Sequence, residues 1–181
     1  MLAFSGSALA RVQRSTSSAR PVAHQAGGCG PAHLIPTRRN IVFFAHITFC
    51  LINRQRTSHG LRPLRESAAL DRSARSHSVS MVAHGYFSHN SLDGGSPFQR
   101  MAQFGYPGRG RACALGENIA AGVRSSGTPA AIVSMWMHSP EHRANILNGA
   151  YRDTGMGVAY GFPGIRNVRG ATFTQDFGRR C

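Results

Sequence analysis

The sequence predicts an α+β fold, and three observations carry the prediction. Apolar residues recur at helical spacing through residues 41–52, 67–84 and 129–136, whereas the clearest alternation of sides, over 154–177, comes late and is interrupted by one glycine-bounded turn. Helices come first and the hairpin last, which separates the pattern from a regularly alternating βαβ chain. The length of 181 residues and the 41% hydrophobic content suit one domain with an appended segment.

Residues 1–40 are rich in Ser, Ala, Gly, Arg and Pro and lack apolar periodicity, so they are expected to be a disordered basic segment ahead of a domain spanning 41–181. Thr37-Arg38-Arg39-Asn40 before the apolar run Ile41–Ile52 offers a twin-arginine export signal. That run, however, leads without a break into Asn53-Arg54-Gln55-Arg56, which favours a first helix retained in the domain; a displaced start codon would also account for the amino end. The run is too short to span a bilayer.

Gly60-Leu61-Arg62-Pro63-Leu64 reads as the turn that ends the first helix. Ser67 then caps a second helix whose inner positions are Leu70, Ala74, Ser78 and Met81 and whose stop is Gly85, with His77 and His84 read as surface residues. Tyr86-Phe87-Ser88-His89-Asn90 is irregular, the kind of segment on which binding groups sit. Ser96-Pro97 starts a short helix with Phe98, Met101 and Phe104 expected in the core. Gly116 to Gly122 reads as a strand whose Glu117, among small apolar neighbours, needs a partner to be buried as a carboxylate.

Thr128-Pro129 opens a helix with Ile132, Val133, Met135 and Trp136 on one buried face. Pro140 disfavours helix at Ser139, so Ser139 caps a second short helix with Glu141 and His142 in its first turn and Asn148-Gly149 at its close. Thr154 to Tyr160 and Ala171 to Phe177 form the final hairpin.

All 21 basic residues are arginine, against seven acids, for a net charge of +14. Five arginines and no acid lie in residues 1–40, leaving 16 arginines against seven acids on the remainder. Such a balance favours association with polyanions, while no aromatic-interleaved basic helix or other nucleic-acid motif is present. The four cysteines allow three pairings if all are bonded. Cys50 on the apolar first helix reads as a buried free thiol, and a Cys113–Cys181 bridge is compatible with export.

The run Trp136 to Leu147, together with Gly116-Glu117-Asn118-Ile119, Tyr86-Phe87-Ser88-His89, Asn53-x-x-Arg56 and Phe173-Thr174-Gln175-Asp176-Phe177-Gly178, resembles the CAP superfamily of cysteine-rich secretory, antigen 5 and pathogenesis-related proteins. The sequence most resembles the compact bacterial branch of these SCP domains, and the likeness covers roughly Phe44 to Gly178. The resemblance implies a three-layer α-β-α sandwich around a small antiparallel sheet, and secretion. It also implies a cleft lined by two histidines and two acids, which map onto His89, Glu117 and His142. The fourth position falls at Ser139, a departure from the full tetrad. Two functions follow as expectations. One is a non-enzymatic module whose cleft takes a small hydrophobic ligand, lipid or anionic cell-surface polymer. The other is a divalent-metal-dependent hydrolase, with His89 and His142 weakly holding Zn²⁺ and Glu117 as ligand or general base.

Overall fold

A computed structural model describes residues 28–181. Helix α1 (Ile41–Ser58) is followed by β1 (Arg65–Glu66), α2 (Ala68–His84), α3 (Pro97–Gln103), β2 (Ala112–Val123), α4 (Pro129–His138), α5 (Pro140–Ile146), β3 (Asp153–Tyr160) and β4 (Gly170–Arg180). The sheet order is β1-β3-β4-β2. Among the described residues only the short β1–β3 pairing is parallel; β3–β4 and β2–β4 are antiparallel.

Alternation along the strands sorts the layers. Phe173 and Phe177 of β4, with Met156 and Val158 of β3, point to one face and form a core with Ile52, Ile132, Trp136 and Ile146 from α1, α4 and α5. The opposite faces of β3 and β4 receive α2. There Gly155 and Gly157 have no room for a side chain: a Cβ would fall 2.1 Å from the backbone of Leu70 and of Ala74, respectively. Small residues on α2 complete this close approach, and Ser78 Oγ donates to Thr174 Oγ1 (2.8 Å). The three-layer α-β-α arrangement follows.

Asn53 and Arg56 are structural. Asn53 exchanges two hydrogen bonds with the backbone of Leu64 (3.1 and 2.8 Å). The buried Arg56 guanidinium donates to the carbonyls of Arg62, Ile146 and Asn148, so it ties α1 to the end of α5. A buried cation is tolerated here because carbonyl oxygens satisfy it.

Several expectations are corrected. From Gly28 onward the amino-terminal segment is packed: Cys29 is disulfide-bonded to Cys50, Ala32 is buried against Phe44 and Ile47, and the Ala32 carbonyl accepts from Ala130 N (3.0 Å). Cys50 is therefore not a free thiol. Residues 1–27 of that expectation lie outside the described residues. Met135 and Phe98 are exposed rather than buried, because each helix offers the core a narrower stripe than its apolar content suggested. His77 is buried, not at the surface. The Cys113–Cys181 bridge is present. Among the described residues no helix is long and apolar enough to cross a membrane.

Candidate functional site

Glu117 sits on β2, an edge strand, and its side chain is 2% exposed. The partner its burial demands is Arg100 on α3, itself buried, whose guanidinium bonds Glu117 Oε2. The other oxygen, Oε1, meets His89 Nδ1 at 2.8 Å. With the carboxylate as acceptor, Nδ1 carries the proton and Nε2 keeps its lone pair. His89 is half exposed, so Glu117 fixes from below the orientation of a ring open to solvent.

The loop carrying His89 is held by a second network. His77 Nε2 donates to the Ser88 carbonyl (2.8 Å), and its ring meets Tyr86 edge-on at 6.1 Å. Burial lowers the pKa of His77, so it stays neutral and serves as a donor. Arg100 reaches the same loop through Ser91 Oγ (2.9 Å).

His142 comes from the opposite helical layer. Ser139, expected to cap α5, makes no side-chain bond to the helix backbone; its Oγ lies 2.7 Å from His142 Nδ1. Asn118, beside Glu117 on β2, donates to the His142 carbonyl (3.1 Å) and accepts from Asn145 (2.9 Å). His89 and His142 line one open cavity of about 420 Å³ with Phe87, Asn90, Ile119 and Glu141. All four sequence-derived positions thus belong to one neighbourhood: His89 and His142 face the cleft, Glu117 lies beneath His89, and Ser139 orients His142.

Beneath the cleft, Asp176 on β4 is directly opposite Glu117 in the β2–β4 register, fully buried. Burial first, and then the Glu117 charge, push its pKa well above the usual carboxylate value, which favours its neutral form. Arg100, His77 and Asp176 are the site residues that sequence reasoning missed. Asp176 lay within a quoted motif and His77 within an assigned helix, but only the strand register and the α2 rotation bring them to Glu117. Arg100 carried no local signal at all.

The expected metal does not fit this donor set well. Among the described residues no three His, Cys, Asp or Glu side chains stand together as a metal group. Glu117, the natural third donor, has one oxygen bonded by Arg100 and the other by His89. A closed zinc site needs four ligands and a catalytic one three; the cleft offers two imidazoles.

The electrostatics give a direct check on the cleft geometry. Burial lowers the His142 pKa first, the neighbouring His89 lowers it further, and Glu141 raises it. His142 followed by NMR should therefore titrate below an ordinary histidine. His89→Gln should move that midpoint up and Glu141→Gln should move it down. A midpoint indifferent to His89 would mean that the two rings do not share a cleft.

Residues 49–177 match the sequence model of the cysteine-rich secretory protein (CAP) family. Over 127 residues the chain is 38% identical to YkwD of Bacillus subtilis (strain 168), an uncharacterized protein, covering 70% of this chain and 44% of that one. It therefore spans less than half of that curated relative's length. An extracellular protein containing a SCP domain from Bacillus anthracis superposes with a TM-score of 0.59 at 27% identity, over 78% of this chain and 41% of the other. An outer surface protein from Borrelia burgdorferi gives a TM-score of 0.63 at 21% identity, over 83% and 99%, a likeness of fold.

Proposed function

Because the chain belongs to the CAP family of cysteine-rich secretory proteins, we propose that it is an extracytoplasmic binding module whose His89–His142 cleft takes a small ligand without turning it over. Two disulfides, Cys29–Cys50 and Cys113–Cys181, support residence in an oxidising compartment. The relatives described as extracellular and outer surface proteins point the same way.

One observation carries the choice of binding over hydrolysis. Glu117 is committed on both oxygens, to Arg100 and to His89, and is shielded from solvent. A general base must reach the proton it abstracts, and a carboxylate buried under its own ion pair does not reach water in the cleft. Glu117 acts instead as a positioning residue. It fixes the His89 ring, leaving the Nε2 lone pair as an acceptor beside the second imidazole. The exposed Phe87 ring and the apolar Ile119 supply a flat hydrophobic contact next to these polar groups. A few convergent polar groups on an apolar floor suit a small amphiphilic ligand.

The test has two arms. Fatty acids, sterols and short oligosaccharides are titrated into labelled protein, and at least one is expected to shift His89 and His142 resonances together, with the effect lost in His89→Ala. In parallel, a panel of peptides and esters is incubated with and without added Zn²⁺. Turnover that disappears in both His89→Ala and His142→Ala would overturn the reading in favour of a hydrolase.

A further inference from the structure

We infer that a second site, built from the end of α2, the β3–β4 turn and the segment preceding α1, binds a linear phosphate-bearing polymer. It shares no lining residue with the His89–His142 cleft and does not depend on the reading of that cleft.

The site is a groove of about 630 Å³ lined by Arg38, His84, Tyr160, Phe162 and Arg166 among others. An adjoining recess of about 400 Å³ shares Arg38 and Tyr160 and adds Arg39 and Arg169. Four guanidiniums and an imidazole thus converge on one elongated depression with no Asp or Glu in either wall. Among the described residues none of the four arginines has a salt-bridge partner. The reason lies in how the acids are spent: Glu117, Asp153 and Asp176 are buried and Asp71 is half-buried, leaving Glu66, Asp93 and Glu141 exposed.

Gathering four unpaired cations costs electrostatic energy that a bound polyanion returns. Arginine is suited to phosphate because its planar fork donates two parallel hydrogen bonds. Arg38 is already oriented, its guanidinium lying 5.3 Å from the Tyr160 ring centroid. The carbonyl end of α2 at Gly85 adds a partial negative charge, small against four full positive ones.

Charge and shape choose among occupants. A second copy of a chain carrying +14 is repelled, and residues 1–27 hold three arginines and no acid, so neither complements the groove. A flat bilayer would bridge a concave depression. Single-stranded nucleic acid gains much of its hold from bases stacking on aromatic rings; here Arg38 covers the Tyr160 ring, and of the groove's aromatic lining only the half-buried Phe162 is left. A phosphate chain without bases fits what is left.

The experiment measures binding of inorganic polyphosphate of defined length across a salt series. It compares wild type, the groove variant Arg39→Ala/Arg166→Ala/Arg169→Ala, and a control of equal charge, Arg54→Ala/Arg62→Ala/Arg109→Ala. All six positions are exposed, and thermal unfolding verifies that both variants fold. The groove variant is expected to bind at least about tenfold more weakly than the control, with the salt slope reduced by about 2–3. Equal loss in both variants would reduce the effect to net charge and overturn the proposal. Groove dependence seen with anionic vesicles but not with polyphosphate would overturn it in favour of a membrane surface. Groove-dependent binding of single-stranded DNA tighter than polyphosphate, per phosphate, would overturn it in favour of nucleic acid.

Discussion

Replacing Trp136 with alanine is expected to lower the unfolding free energy by about 3–5 kcal/mol, the cost of emptying a buried large aromatic site. Trp136 is fully buried at the centre of the α1, α4 and α5 face of the sheet, packed among Ile132, Phe173 and Phe177. Its Nε1 also donates to the Ile119 carbonyl (3.2 Å), so truncation removes a buried hydrogen bond together with the volume. Trp136→Phe should recover most of the packing but not that bond, and should fall between the two. Urea unfolding monitored by far-UV circular dichroism measures the shift. An alanine variant that unfolds at the wild-type midpoint but fails to bind ligand would make Trp136 a ligand contact and contradict its role as an anchor.

Glu117→Ala is the second large effect, also about 3–5 kcal/mol, because it leaves the buried Arg100 cation unpaired. The structure supplies a partial remedy. Burial and the Glu117 charge both favour the protonated form of Asp176. Without Glu117, ionised Asp176 can take over part of the Arg100 charge. The double variant Glu117→Ala/Asp176→Asn is therefore expected to lose more than the two single losses added, a non-additivity that marks residues in one network. A pH effect follows. In the wild type the folded pKa of Asp176 lies above its unfolded value of 3.8. The folded state then binds the extra proton, and the associated stability is present at low pH and lost as pH rises through the folded pKa. In Glu117→Ala that pKa should drop and this share of the pH dependence should weaken. Additive losses with an unchanged pH profile would show that Asp176 and Glu117 do not communicate.

How much of this could be read from the sequence varies with the range of the interaction. The α+β class, the helix starts at Pro97, Pro129 and Pro140 and the stop at Gly85 were legible, because caps, prolines and glycines act within one turn. The family resemblance brought His89, Glu117, His142 and Ser139 to one place. What stayed hidden were pairings set by packing across the fold: Arg100 under Glu117, Cys29 on Cys50, and His77 turned inward to hold Ser88. Met135 shows the converse. It lies three residues after Ile132, a helical spacing, yet α4 turns it to solvent, since helical periodicity fixes a face only to within about one residue.

The sheet order also has a consequence in time. β4 is bonded on both sides, to β3 and to β2, and it follows them both in the chain. Before β4 is available, the only pairing open to the sheet is the two-residue match of β1 with β3, whose partners Arg65 and Asp153 lie far apart in sequence. Both hydrophobic faces of the sandwich therefore wait on the same late segment, and assembly depends on distant contacts rather than local ones, a topology associated with slow folding. A chain cut short before Gly170 therefore lacks the strand that joins β2 to β3.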